Sequence, residues 1–337
     1  VLTHGWVVDG EGKKMSKSLG NTIVPEDIVN QYGADILRLW VASSDYHADI
    51  RISKDILKQL SEAYRKIRNT ARFILGCISD FNPDTDSVAL DELEPIDKWA
   101  LNRLDELNKK VKDSFEKFEY HIIFHSVHNF CVVDMSNFYL DVLKDRLYVE
   151  KTDSKTRRAA QTTIYKILDT LTRLIAPIIT FTANEIWGFM PHDEKSVKEH
   201  VILNDYPELT GVSVDDAFIE KWEKLHALRD DVKKAIENAR NQKIIGASLD
   251  DEIELFATGD MLDFIKECEA ELPVIFITSG VKISEGEGGE YKGENIGVTV
   301  TKASGGKCER CWSYSDSVGS NDEHPTLCAR CAKVVAE

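Results

Sequence analysis

No apolar run in this chain approaches the roughly 20 residues a helix needs to cross a bilayer, and no basic stretch followed by an apolar core opens it as a secretory leader would. These absences point away from a membrane partner and towards a cytoplasmic protein. Positive charge is also short: 42 Lys and Arg stand against 58 Asp and Glu, for a net charge of −16. That balance argues against indiscriminate nucleic-acid binding, because nonspecific RNA binders are usually basic. An RNA partner would require the basic residues to be gathered on one face. Internal repeats and long low-complexity linkers are missing too. The chain opens on Val1 rather than methionine, inside what reads as a strand, so the expectation is a piece of a longer polypeptide. With 337 residues, 42% of them hydrophobic, it can bury real cores in two to four units.

The 7 cysteines are unevenly placed. Cys77, Cys131 and Cys268 lie singly in apolar or helical surroundings and read as small buried hydrophobes. The other four form two pairs, Cys308-Glu-Arg-Cys311 and Cys328-Ala-Arg-Cys331, separated by sixteen residues. Without a secretory signal, this pattern favours a metal over disulfides. Each pair makes a tight knuckle that aims two thiolates at one point, and two knuckles complete a tetrahedron. Cysteine fills all four positions, so no coordination site stays open and one structural zinc is expected; an iron–sulfur centre is the other option. The tail has too few apolar residues to fold without such a staple. Arg310, Trp312 and Arg330 sit on the knuckles, where they would stack on exposed bases or hold phosphates. The plainer alternative is packing around the metal.

Near the start, Lys14-Met15-Ser16-Lys17-Ser18 lies between Gly10, Gly12 and Gly20. The glycines permit a mobile loop, and the lysines are flexible point charges that suit a phosphate chain. A solvated basic loop would explain the charge alone, but not the literal string followed by Leu19-Gly20-Asn21.

Along the chain, residues 2–8 read as a strand leading into the loop. Pro25 opens a helix with Glu26 and Asp27 in its first turn, Gly33 stops it, and residues 35–42 form a second helical piece. Leu57, Leu60, Tyr64, Ile67, Ala71 and Ile74 recur at three- and four-residue spacing, which predicts a helix over 54–76. Lys58, Arg65, Arg68 and Arg72 fall on another face; that is a solvated face or, with an RNA partner, a backbone-contacting stripe. Three further long amphipathic helices follow, the third over 155–190 and interrupted by Pro177, giving a helical bundle. His121, His125 and His128 have helical spacing but nothing completes a metal site, so they read as boundary or surface residues. Asp141, Asp145, Glu150 and Asp153 read as solvated or salt-bridged. Beyond Thr210 come a helix over 215–241, a strand at 252–256, a short helix over 261–270, a buried strand at 274–277, a glycine-rich hairpin turn at 286–293 and a strand at 297–301.

The lysine string resembles the signature loop of class I aminoacyl-tRNA synthetases. In that family the loop closes over ATP while the amino acid attacks the α-phosphate, where the protein's task is positioning and charge stabilisation. The resemblance implies that Lys14 and Lys17 are catalytic, with Lys17 the closest contact to ATP, accompanied by magnesium. Met15, Ser16 and Ser18 would shape the nucleotide-binding loop. Residues 33–40, Gly-Ala-Asp-Ile-Leu-Arg-Leu-Trp, are similar to the segment after the loop in the isoleucine, valine and leucine subgroup. Residues 43–46, 49–53 and 65–73 and the Cys308-Glu-Arg-Cys-Trp312 tail are similar to bacterial isoleucyl-tRNA synthetases in particular.

The resemblance implies a mainly α fold. Residues 1–53 would end the catalytic nucleotide-binding domain, 54–210 would be a helical anticodon-binding bundle, 211–303 a small α/β junction and 304–337 a four-cysteine zinc ribbon. It implies a monomer whose full form takes ATP, isoleucine and tRNA(Ile) as partners, and a C-terminal fragment inactive alone, since the amino-acid pocket and the family's other signature motif lie upstream. The RNA contacts would include Arg65, Arg68, Arg72, Arg310, Trp312 and Arg330. A valyl or leucyl enzyme, or a non-catalytic RNA-binding protein with an inherited loop, are the alternatives; charging assays and the upstream reading frame separate them.

Overall fold

The computed structural model describes residues 2–192 and 199–336. Val1 and Glu337, the outer bounds of the first and last expected domains, lie outside the described residues, as does 193–198. The chain is mainly helical and divides into two compact units, one of residues 1–141 and 153–213, the other of 142–152 and 214–337.

The first unit begins with β1 (Val7–Asp9), shorter than the expected strand because residues 2–6 make no ladder. Gly5 is nonetheless pressed on the backbone at Ala48: a Cβ there would stand 2.3 Å from the Ala48 carbonyl carbon. Helices α1 (Pro25–Tyr32) and α2 (Ala34–Ser43) meet at Gly33, whose φ of 90° suits glycine. Strand β2 (Ile50–Ile52) pairs in parallel with β1. Ser53 then caps α3 (Lys54–Cys77), its hydroxyl accepting the Ile56 N–H at 3.2 Å. The predicted apolar face of α3 is the buried one, with Leu57, Ile67 and Ile74 among the most enclosed side chains.

Helix α4 (Pro95–Glu116) packs against α5 (Tyr120–Asn129). The expected second long helix is not uniform. It passes from α5 into a ten-residue π-helical segment, Phe130–Tyr139, and then α6 (Leu140–Val142). The wider turn keeps Phe130, Cys131, Asp134, Met135, Phe138 and Tyr139 all buried, and Tyr139 donates its hydroxyl proton to the fully buried Asp97 at 2.7 Å. Next in the chain, α7 (Lys144–Val149) belongs to the second unit.

Pro177 ends α8 (Lys155–Ile175), and α9 (Thr180–Phe189) starts after the break. A break orphans carbonyls on one side and N–H groups on the other. Two residues of α2 satisfy both. Arg38 donates to the carbonyls of Ile178 and Pro177 at 2.7 Å each. Asp35, buried, accepts the Thr182 N–H at 2.7 Å and its hydroxyl at 2.6 Å. At the far end of α8, Arg157 forks onto Asp80 at 2.7 and 2.9 Å, and Gln161 donates to the same carboxylate at 2.8 Å. Those donors, Arg157 first, hold Asp80 down to about 2.

The second unit is built on α10 (Asp216–Asn241), capped by Asp215, whose carboxylate accepts the Phe218 N–H. Strand β3 (Asp251–Ala257) buries Asp251, Ile253, Leu255 and Ala257 in strict alternation. Helix α11 (Gly259–Glu267) follows. The expected strand at 274–277 is instead the short helix α12 (Leu272–Phe276). A brief apolar run has no readable period, and Pro273 at its first turn decides for helix. The strand lies just beyond, as β4 (Gly280–Glu285), parallel to β3.

Strands β5 (Tyr291–Lys292) and β6 (Gly297–Lys302) complete a sheet of order β4-β3-β6-β5. The glycine run after β4 is therefore no hairpin turn. It crosses to the opposite edge, which requires a close approach: a Cβ at Gly288 would stand 2.2 Å from the Phe256 ring. The hairpin is the next turn, closed by the Gly293 N–H on the Ile296 carbonyl at 2.9 Å. Last come a two-stranded ribbon, β7 (Gly306–Lys307) with β8 (Tyr314–Ser315), and α13 (Ala329–Ala336). No helix among the described residues is long and apolar enough to cross a membrane.

Candidate functional sites: a lysine loop and a cysteine ribbon

The lysine loop is tied at its base and open at its tip. Asp9, at the end of β1, accepts the backbone N–H of Glu11 at 3.0 Å and of Lys13 at 2.8 Å. Asn21 closes the other side. Its amide donates to Asp9 at 2.8 Å and to the Lys14 carbonyl at 3.3 Å, while its oxygen accepts the Ser16 N–H at 2.9 Å. The Asn21 amide, and then the Lys13 N–H, hold the Asp9 carboxyl below the usual carboxylate range. Between these anchors Ser16 caps a single 3-10 turn over Lys17–Leu19, which Gly20 ends at φ 64°. The glycine spacing alone suggested a mobile loop; the residues at its two ends give it a fixed frame. Lys13 pairs with Glu11, whereas Lys14 and Lys17 are exposed and have no ion pair among the described residues. Ser18 is exposed with them, its hydroxyl 3.1 Å from that of Ser16, and Met15 is half-buried.

The cysteine ribbon is built the other way, with its reactive atoms inward. Cys308, Cys311, Cys328 and Cys331 are buried, and their sulfurs all lie within 4.8 Å of one another. None is bonded to another. The Cys311 and Cys328 sulfurs are 3.9 Å apart, far beyond a disulfide but close to the roughly 3.8 Å edge of a tetrahedron with zinc–sulfur arms of about 2.3 Å. The donor set therefore fits zinc. Burial opposes the Cys308 thiolate, yet the N–H groups of Cys311, Cys328 and Arg310 outweigh it and hold that thiol at about 6. Burial pushes the Cys331 thiol up. A bound dication would let all four ionise together. No other group of metal-ligating side chains occurs among the described residues, so the helical histidines assemble no site. His125 and His128 instead line a cleft of about 560 Å³ with Arg103 and Asp134.

The RNA candidates separate by environment. Arg65 pairs with Glu62 at 3.0 Å and Arg68 with Glu185 at 3.4 Å, while Arg72 is exposed with no ion pair among the described residues. On the ribbon, Arg310 donates to the Val149 carbonyl at 2.9 Å and Arg330 forks onto Asp145 at 2.7 and 2.6 Å. Asp145 is thus ion-paired, the second of the two options its sequence left open. Trp312 is 64% exposed, fixed at φ 65° with its backbone N–H on the Cys308 carbonyl.

Two aromatic residues escaped the sequence reading. Phe181 and Phe189 of α9 are 67% and 72% exposed, one turn either side of Glu185. Tyr64 meets Thr182 at 2.7 Å and Arg68 meets Glu185 at 3.4 Å, so α9 and the basic side of α3 are neighbours. The signal was there as a four-residue spacing, but aromatic residues in a bundle helix default to core.

Three family models match the chain. One described as the anticodon-binding domain of tRNA ligase covers residues 97–255, one for tRNA synthetases class I (I, L, M and V) covers 1–53, and a zinc finger found in FPG and IleRS covers 305–334. Together with the lysine loop and the cysteine ribbon, these place the chain in the class I tRNA ligase family. The relatives narrow it. Isoleucine–tRNA ligase of Caldanaerobacter subterraneus subsp. tengcongensis is 52% identical over 100% of this chain and 37% of that protein. That of Bacillus mycoides is 48% identical over 100% of this chain and 37% of its own length, and that of Geobacter sulfurreducens 47% over 99% and 36%. The chain belongs to the bacterial isoleucine–tRNA ligase family and spans just over a third of the length of these relatives.

Proposed function

We propose that this chain is the tRNA-recognising, C-terminal part of an isoleucine–tRNA ligase. The whole enzyme joins the carboxylate of isoleucine to the α-phosphate of ATP, releasing pyrophosphate, and passes the aminoacyl group to a terminal ribose hydroxyl of tRNA(Ile), releasing AMP. Lys14 and Lys17 serve the first step, with Lys17 the closer to the ATP phosphates and magnesium sharing their charge. Met15, Ser16 and Ser18 shape the loop that presents them. Cys308, Cys311, Cys328 and Cys331 hold one structural zinc. Residues 1–53, 54–210, 211–303 and 304–337 act as the end of the catalytic domain, the anticodon-binding bundle, the junction and the ribbon of a cytoplasmic monomer.

For RNA contacts, Arg72 and Trp312 stand open. Arg65, Arg68, Arg310 and Arg330 would first have to leave the partners they hold, so they rank behind. The observation that carries this reading is identity to isoleucine–tRNA ligases along the entire chain, zinc finger included.

The test is binding of fluorescent tRNA(Ile) and tRNA(Val) transcripts to the chain at fixed salt. At least tenfold preference for tRNA(Ile) is expected; equal affinity would reject isoleucine-specific recognition by this part. The chain alone is expected to catalyse no isoleucine-dependent ATP–pyrophosphate exchange, and measurable exchange would overturn its assignment as a non-catalytic part.

A further inference from the structure

The two cysteine knuckles share a detail that metal binding does not need. Each carries arginine immediately before its second cysteine, in Cys308-Glu-Arg-Cys311 and in Cys328-Ala-Arg-Cys331. Both guanidinium groups reach the same short helix, α7. Arg310 donates to the Val149 carbonyl at 2.9 Å, and Arg330 grips the Asp145 carboxylate with two bonds of 2.7 and 2.6 Å. Asp145 and Val149 are four residues apart, hence on one face. The Val149 carbonyl belongs to the last turn of α7, where helix carbonyls lack an internal partner; Arg310 supplies one. Between the two grips the Val149 side chain, 3% exposed, packs into the cluster formed by the four cysteines.

We infer that Arg310 and Arg330 are a two-point clamp, closed on α7 by Val149, and that zinc loading of the ribbon and docking of residues 142–152 are one event. Helix α7 has only 6 residues and follows α6 across Leu143, whose carbonyl still accepts the Leu147 N–H at 2.9 Å, so it forms the last turns of a longer helical run, where helices fray. The ion pair at its start is partly exposed but bidentate, the geometry in which such a pair contributes measurably. The ribbon surface grips those last turns at two points, and what orders the ribbon is its metal. The segment held in this way lies within the stretch matched as an anticodon-binding domain, residues 97–255, so metal occupancy is transmitted into that domain's own chain. Arg310, Arg330 and Asp145 are positioning residues for the metal site. They stabilise the loaded state from outside the sulfur shell, while Trp312 is left as the knuckles' outward-facing aromatic.

This inference rests on the four cysteines holding zinc, and its test separates the two. Zinc release from the full chain to a chromogenic chelator is timed, and amide exchange of residues 144–149 is followed before and after metal removal, with α8 as internal control for folding. Loss of zinc should abolish protection of 144–149 and leave α8 protected. Asp145→Asn should release zinc about tenfold faster, and the Arg310→Met/Arg330→Met double variant faster still. Arg330→Lys, which keeps the charge and loses the fork, should fall between wild type and Asp145→Asn. A chain that takes up no zinc with its cysteines intact overturns the metal reading and the clamp together. A chain that binds zinc normally, but whose release rates stay within twofold across the variants or whose 144–149 amides are indifferent to metal, overturns the clamp alone.

Discussion

The lysine loop and the cysteine ribbon are both short segments carrying the residues that identify the family, yet they are built on opposite plans. In the loop, a half-buried Asp9–Asn21 brace fixes the backbone and leaves Lys14 and Lys17 exposed, with no ion pair among the described residues. In the ribbon, the functional atoms are the core: the buried cysteines and Val149 form the apolar cluster, and the surrounding fold depends on them. A group that must meet a transient ligand is held by its neighbours and contributes little to their stability. A group that holds a resident ion is the reason its neighbours fold. Substitutions should therefore read out in different assays at the two places.

The largest effect belongs to the ribbon. Cys331→Ser should lower zinc content from one per chain to none and unfold residues 304–336, with a loss on the scale of the roughly 10 kcal/mol or more that structural zinc contributes in small metal-folded domains. Unchanged metal content by elemental analysis would reject the site. The clamp should fail with it, and the first unit should keep its cooperative melt. If both units melt together, the contrast between loop and ribbon is weaker than the contacts within each suggest.

Next in size is Asp251, at the head of β3 in the ribbon's own unit. Both its carboxylate oxygens are buried without a hydrogen-bond partner, and burial pushes its pKa from 3.8 up to about 6. The folded state thus disfavours the ionised form. The stability that goes with a neutral Asp251 is complete below about pH 4 and is lost as pH rises through 6, to the extent of about 3 kcal/mol. Asp251→Asn should flatten denaturant midpoints between pH 4 and 7; a slope identical to that of the wild type would show that the carboxyl is solvated or paired in solution.

Asp80, in the loop's unit, has the opposite sign. Its folded pKa of about 2 lies below 3.8, so its contribution is complete above about pH 4 and disappears as pH falls towards 2. The side chain is 34% exposed, which screens the Arg157 fork to about 1 to 2 kcal/mol. Asp80→Asn should weaken the first unit by that amount at neutral pH and remove the acid-side slope. Equal acid sensitivity in both proteins would place the titrating group elsewhere.

What could be read before folding, and what could not, follows the distance between partners. The cysteine pairs and the α3 stripe were legible because their spacing is local, three residues in one case and a helical period in the other. The anchors were not. Arg330 meets Asp145 across 185 positions, and Arg38 meets Ile178 across 140. Nothing near Asp35 or Arg38 announces that they repair a helix break made by Pro177. The error at 274–277 is different in kind: four apolar residues satisfy strand and helix alike, and the proline that settles the matter stands just outside the window. The π-helical turn of 130–139 was also invisible, since one residue added per turn leaves a mixed apolar segment equally apolar.

The smallest expected change in stability, and the most telling for the loop, is Lys17→Ala. The side chain is exposed and forms no ion pair among the described residues, so its removal should leave stability within about 0.5 kcal/mol. If its work is charge stabilisation at ATP, the same substitution in the full-length enzyme should slow adenylate formation a hundredfold or more while leaving affinity for tRNA within twofold. Equal losses in the two steps would mean that Lys17 shapes the loop. The brace offers the complementary variant. Asn21→Ala keeps both lysines but removes the donor to Asp9 and the acceptor for the Ser16 N–H. It should raise amide exchange across residues 13–20 and slow adenylate formation less than Lys17→Ala does, because the charge survives and only its placement is blurred.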